Sequence, residues 1–314
     1  MLSHKGPVYS IITLFNENGS INFSGISEMI VKAHEGGHRC FYFMAFNGRV
    51  NLLTYKELHD YNKWLINLVK DLSSDSLVIV PGPIAASAME IACFATEAHE
   101  LGADCYSVYI GERYYSDEQL THYFDYLVNH SPAKWLVHQM PLPSGYGGAP
   151  VNWPLKTLEQ ITQHDNVIAL KEDSKDKDYT DQVLRVVADN VTIILSGGGK
   201  RQWLGHNQVS QCWLTALGVV YPEISTRFYS EVGGQENTTI SQIAKDIVRA
   251  ESIFLDEIVG RFSWHLGVRS VILHRFGFNA FERSPMYALG NDAHRDIAKI
   301  IEDKIEPLIR PYLL

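Results

Sequence analysis

The chain is predicted to fold as a (β/α)8 barrel with a C-terminal three-helix extension. Three observations predict it. Short apolar runs alternate with helical-period segments eight times within about 220 residues, which is the count such a barrel needs. The 314 residues are 46% apolar, a length and composition that suit one large α/β barrel. The chemically informative residues each close a strand, where this fold keeps its active sites.

The elements follow in order. Val8–Thr13 is a first strand and Gly25–His34 the helix after it. Arg39–Ala45 is a second strand, and Thr54–Leu72 a helix with apolar positions at helical spacing. Leu77–Val80 is a third strand, stopped by Pro81-Gly82-Pro83, and Ala85–Leu101 is an alanine-rich helix. Cys105–Ile110 and Asp117–Asn129 are the fourth strand and helix. Lys134–His138 is the fifth strand, followed by a Pro/Gly loop over Pro141–Pro150 and a helix over Leu155–Gln163. Val167–Lys171 and Asp178–Val187 form the sixth unit, and Val191–Ser196 is the seventh strand. Gln211–Leu217 is the eighth strand by count, although its Trp and Cys make it less regular. Helices at Ile240–Val259, Trp264–Phe276 and Asp292–Tyr312 complete the chain. No linker-like stretch precedes them. The expected division is therefore a barrel catalytic domain over residues 1–225 and a helical extension packed on it over 226–314.

Bulk properties narrow the function. A net charge of −9 argues against a general nucleic-acid surface. No apolar run approaches the roughly 20 residues of a membrane span, and the N-terminus lacks a signal-peptide core. The cysteines at 40, 93, 105 and 212 form no close pair, so buried free thiols are the default. The histidines outside His138 show no metal spacing, and no metal is expected. These features suggest a cytoplasmic protein acting on a small molecule.

Lys171 is the most informative residue. It ends the run Asn166-Val-Ile-Ala-Leu-Lys171, which reads as a buried parallel strand. A lysine there either snorkels to solvent with its charge intact or stands at the barrel mouth with a lowered pKa, ready to attack a carbonyl. His138 ends strand five. It is either a buried histidine bonded to backbone or an acid–base group, since imidazole titrates near neutral pH. Phe46-Asn47-Gly48 follows strand two. Leu214 and Thr215, in the eighth strand, join it as expected substrate-binding positions. Ser196-Gly-Gly-Gly-Lys200 follows strand seven and reads either as a solvated turn or as an anion site of backbone N–H groups plus a lysine. The charged run beyond Lys171, as far as Lys177, reads as a solvated loop.

In this order and at these spacings the fragments resemble the dihydrodipicolinate synthase/N-acetylneuraminate lyase family of class I aldolases. The resemblance runs over nearly the whole length. It is carried by Ile12-Thr-Leu-Phe-Asn-Glu-Asn-Gly-Ser-Ile21, by Asn47-Gly48-Arg49 with Leu53-Thr54 and Glu57, and by Gly102-Ala103-Asp104. Val167-Ile-Ala-Leu-Lys171-Glu172, Gly218-Val-Val-Tyr-Pro222-Glu223 and Arg283-Ser-Pro285 extend it. The resemblance implies that Lys171 is the Schiff-base lysine, that the covalent imine replaces any cofactor, and that the chain forms a homodimer or homotetramer.

The departures bear on substrate. Where the family carries two adjacent hydroxyl residues that hold a 2-oxo acid's carboxylate, this chain has Phe46 and Asn47; Asn donates a hydrogen bond and Phe cannot. The family's strand-five tyrosine falls on His138. The loop arginine of the synthases falls near Pro143. A Tyr-Tyr pair survives at Tyr114-Tyr115, as a possible second-substrate or relay position. Three functions follow as expectations. The first is a Schiff-base lyase, an aldolase or dehydratase, on a 2-oxo acid such as pyruvate or a sugar-acid derivative. The second is genuine 4-hydroxy-tetrahydrodipicolinate synthase. The third is a catalytically inactive homologue that binds a metabolite or a partner protein.

Overall fold

The computed structural model describes residues 1–110, 116–143, 150–174, 176–196, 212–232 and 241–313. The strands in chain order are β1 (Gly6–Ser10), β2 (Cys40–Tyr42), β3 (Leu77–Pro81), β4 (Cys105–Tyr109), β5 (Trp135–Gln139), β6 (Leu142–Pro143), β7 (Pro150–Val151), β8 (Val167–Glu172), β9 (Thr192–Leu195) and β10 (Cys212–Leu214). Eight of them close a barrel in the order β1-β10-β9-β8-β5-β4-β3-β2, while β6 and β7 form a separate antiparallel pair. The predicted fold class is therefore the observed one.

Parallel strands with helices on their outer face are buried on both sides. Every residue of β1, β5 and β8 is accordingly buried. Side chains alternate in and out at period two, so a single cluster fills the barrel. It contains Val8, Cys40, Tyr42, Met44, Ile79, Cys105, Leu136, Ala169, Ile194, Cys212 and Leu214. Leu2 closes the end where the strands begin: its N–H donates to Ile168 O at 3.2 Å, and the Thr192 hydroxyl donates to Leu2 O at 3.0 Å. Cys40, Cys105 and Cys212 are buried free thiols, and Cys93 is an exposed one.

The crossover helices start where the sequence supplies caps. Thr54 with Glu57, Ser87 with Glu90 and Ser116 with Gln119 each form a capping box. They begin the helices Tyr55–Leu72, Ala88–Glu100 and Asp117–His130. Asp176 caps Lys177–Val187. Several expected boundaries shift. The first strand begins at Gly6 rather than Val8 and ends at Ser10. The last strand is only Cys212–Leu214, because Leu217–Val219 turns into a 3-10 helix.

Two compact units emerge from the packing. One comprises Met1–Val8, Arg39–Ser196 and the strand residues up to Leu214. The other comprises Tyr9–His38 and the chain from Thr215 onward. In the second unit the Tyr9 hydroxyl donates to Val219 O at 2.8 Å, and the buried Arg269 donates to Thr13 O at 2.6 Å. Its helices include Gln242–Ile253, Trp264–Phe276 and Asn291–Ile300, close to the expected positions, and also Pro222–Val232, which was not expected. No helix among the described residues is long and apolar enough to cross a membrane.

Candidate active site

Lys171 and His138 are brought together by register. In the β5/β8 ladder His138 pairs with Lys171, and in the β4/β5 ladder Tyr109 pairs with His138. Each of these residues lies two positions beyond a residue on the barrel's inner face or continues that alternation: Ala169 to Lys171, Leu136 to His138, and Cys105 through Ser107 to Tyr109. Three neighbouring strands therefore present lysine, imidazole and phenol at one level of the barrel.

The lysine does not snorkel. Its residue is 1% exposed, and Nζ lies 3.0 Å from His138 Nε2 and 2.6 Å from Asp173 Oδ2. The same carboxylate oxygen lies 3.2 Å from His138 Nε2, so the three groups form a triangle. Backbone contacts fix Asp173, whose N–H donates to Gln139 O at 3.0 Å and so ties it to the end of β5.

The expected solvated loop after Lys171 is corrected here. Glu172 and Ser174 are fully buried, and Asp173 is half-buried with its side chain only 14% exposed. Glu172 points away from Lys171's face and accepts from Ser174 N–H at 2.7 Å and Thr180 Oγ1 at 2.8 Å. Asp173 shares the face of Lys171 by the same alternation, which a list of charges conceals.

Electrostatics set the protonation states. Burial first, and then the Lys171 charge, lowers the His138 imidazole to about 4, against the opposing pull of Asp173. Titration near neutrality, expected for imidazole, is thereby corrected: the ring is neutral at physiological pH. Its Nδ1 is buried and has no hydrogen-bond partner among the described residues. Burial, and secondarily the Asp173 charge, raises the Tyr109 phenol above its ordinary value.

The remaining predicted positions fall as follows. Phe46 stands edge-on to His138, with centroids 6.2 Å apart and planes at 88°, and edge-on to Tyr109 at 4.7 Å. It makes an apolar wall beside the imidazole. Asn47 is buried. A Cβ on Gly48 would lie 2.0 Å from Phe43 Cε2 and 2.9 Å from Met44 O, so only glycine fits the turn that positions Phe46 and Asn47. Leu214 lines the inner core cluster. Thr215 lies in the other unit, where its hydroxyl accepts from Ser10 N–H at 3.0 Å. Tyr114, Tyr115 and residues 197–200 lie outside the described residues. Ser196 is buried and donates its N–H to Glu172 O at 3.1 Å.

Sequence reading missed Asp173, Tyr109 and the buried pair Tyr42–Ser107, whose hydroxyl oxygens are 2.6 Å apart. Period-two alternation in the fourth strand and in the run Lys171-Glu-Asp173 was the available signal. Among the described residues no group of three His, Cys, Asp or Glu side chains is placed to hold a metal ion. Nζ of Lys171 stands within hydrogen-bond distance of the His138 imidazole and the Asp173 carboxylate.

A profile of the dihydrodipicolinate synthetase family matches residues 3–304. The chain is 23% identical over 193 residues to the 4-hydroxy-tetrahydrodipicolinate synthase of Geobacter metallireducens, a match that covers 60% of this chain and 62% of that relative's length. Its fold is similar to that of dihydrodipicolinate synthase from Bacteroides thetaiotaomicron, with a TM-score of 0.83 at 15% identity over 96% of this chain and 99% of that one. It is also similar to that of N-acetylneuraminate lyase from Fusobacterium nucleatum, with a TM-score of 0.78 at 16% identity over 99% of both chains.

Proposed function

The chain belongs to the dihydrodipicolinate synthetase family, and from that premise we propose that it is a Schiff-base-forming lyase acting on a 2-oxo acid such as pyruvate or a sugar-acid derivative. One observation carries the reading: a buried lysine at a barrel strand end has its Nζ 3.0 Å from an imidazole. The amine attacks the substrate carbonyl, and the resulting iminium serves as electron sink for cleavage, condensation or dehydration. No cofactor is called for, because the iminium nitrogen takes the electron pair. The neutral imidazole of His138 moves protons at the substrate carbons or hydroxyl next to the breaking bond. Phe46 shapes the pocket beside it. Aldolase cleavage is tested by offering 4-hydroxy-2-oxo acids and sugar acids and following pyruvate release with a coupled reduction. Dehydratase action is followed by loss of the substrate hydroxyl. Turnover that disappears in Lys171→Ala supports the reading, and turnover that persists in that variant contradicts it.

A second reading, true 4-hydroxy-tetrahydrodipicolinate synthase, is favoured by the name of the Geobacter relative. Phe46 and Pro143 stand against it, since neither supplies the hydroxyl or the guanidinium that would hold its substrates' carboxylates.

A further inference from the structure

Forming an imine from a buried lysine requires proton transfers at Lys171 itself. An ammonium cannot attack a carbonyl, so Lys171 must first lose a proton. The carbinolamine oxygen must later gain one to leave as water. Two groups lie within hydrogen-bond reach of Nζ, the Asp173 carboxylate and the His138 imidazole. Asp173 Oδ2 is the nearer group, at 2.6 Å from Nζ against 3.0 Å for His138 Nε2, and its backbone is tied to β5.

We propose that Asp173 is the catalytic acid–base of imine formation, and that His138 serves only the later proton transfers on the substrate. The assignment rests on the Schiff-base reading of Lys171. The ammonium gives one proton to the Asp173 carboxylate, and the free amine adds to the carbonyl. A second proton passes from nitrogen to the new alkoxide, giving a neutral carbinolamine. Asp173 returns its proton to the hydroxyl, which leaves as water. The third proton stays on the iminium nitrogen, and Asp173, again a carboxylate, stands beside that cation and stabilises it. The titratable groups facing Asp173 among the described residues are Lys171 two residues before it, His138 from β5, Tyr109 from β4 and Tyr42 from β2. The Tyr42 phenol is held far above its ordinary range by burial, and Tyr109 is also raised, so neither competes as a base near neutrality.

The test uses the full chain and two reagents of opposite demand. Imine formation is followed by borohydride reduction and peptide mass spectrometry at Lys171, with pyruvate and with formaldehyde as carbonyl probes. Acylation of Lys171 by acetic anhydride needs a free amine but no returned proton. Asp173→Asn, with Asp173→Ser as a second variant, should slow imine formation by about 10²-fold or more. It should leave acylation as fast or make it faster, because loss of the carboxylate favours the neutral amine. A merely structural role would lower both together. Equal imine rates in parent and variants, or a parallel fall in both reactions, overturns the assignment. If pyruvate alone fails to trap while formaldehyde does, pyruvate is excluded as substrate and the Asp173 comparison still reads out. Should neither carbonyl mark Lys171 in the parent, both fall.

Discussion

Lys171 and His138 face each other across paired strands, with Nζ 3.0 Å from Nε2. The lysine shapes the imidazole's protonation. Its charge adds to burial in holding the imidazole near 4, so the ring is neutral near physiological pH. That value has a consequence for stability. The folded imidazole titrates near 4 and the unfolded one near 6.5. Between those values the unfolded state binds more protons, so stability falls as pH drops through that window and is flat on this account above it. The full effect of one such group is about 3 kcal/mol. Urea unfolding at pH 7 and at pH 4.5 should show this loss in the parent and a smaller loss in His138→Phe. Equal losses would mean that the imidazole is not held neutral by the fold.

The same shift moves the pH–rate profile. The acid limb of kcat/KM set by His138 should lie near pH 4, not near neutrality. His138→Phe should lose that limb and turn over slowly while Lys171 still forms its imine. Full turnover with an unchanged profile would make His138 structural.

Much of this was legible in the sequence, for identifiable reasons. The eight strands stand out because strands buried on both faces read as unbroken apolar runs, and Ser or Thr followed three residues later by Glu or Gln marks the helix starts. Lys171 and His138 were found because they end such runs. Asp173 was hidden inside a charged segment, although its place two residues after Lys171 puts it on the same face. The helix Pro222–Val232 was missed although Pro222 and Glu223 at its first turn are ordinary start signals. The depressed His138 titration could not be read from residue order, since it depends on burial and on a lysine 33 residues away.

Gly48 should tolerate no side chain. A Cβ there meets Phe43 at 2.0 Å and the Met44 carbonyl at 2.9 Å. Gly48→Ala should destabilise by about 1–3 kcal/mol through overpacking and shift Phe46 away from His138. Chemical denaturation measures the first effect, and turnover at saturating substrate the second. An unaltered midpoint would show that the turn adapts without strain.

Synthesis of 4-hydroxy-tetrahydrodipicolinate from pyruvate and aspartate semialdehyde should be poor. Phe46 and Pro143 offer no charge-assisted hydrogen bonds, each worth roughly 1.5–3 kcal/mol, to the two carboxylates. A coupled assay should give kcat/KM well below about 10⁴ M⁻¹s⁻¹. A value at or above that level would promote the synthase reading.

The central claim is that Lys171 is the nucleophile. The direct measurement is the intact mass, followed by peptide mapping, of the full chain incubated with pyruvate and borohydride. One reduced adduct is expected, located on Lys171 and absent in Lys171→Ala. An adduct of equal yield in Lys171→Ala, or one located on another lysine of the parent, would contradict it.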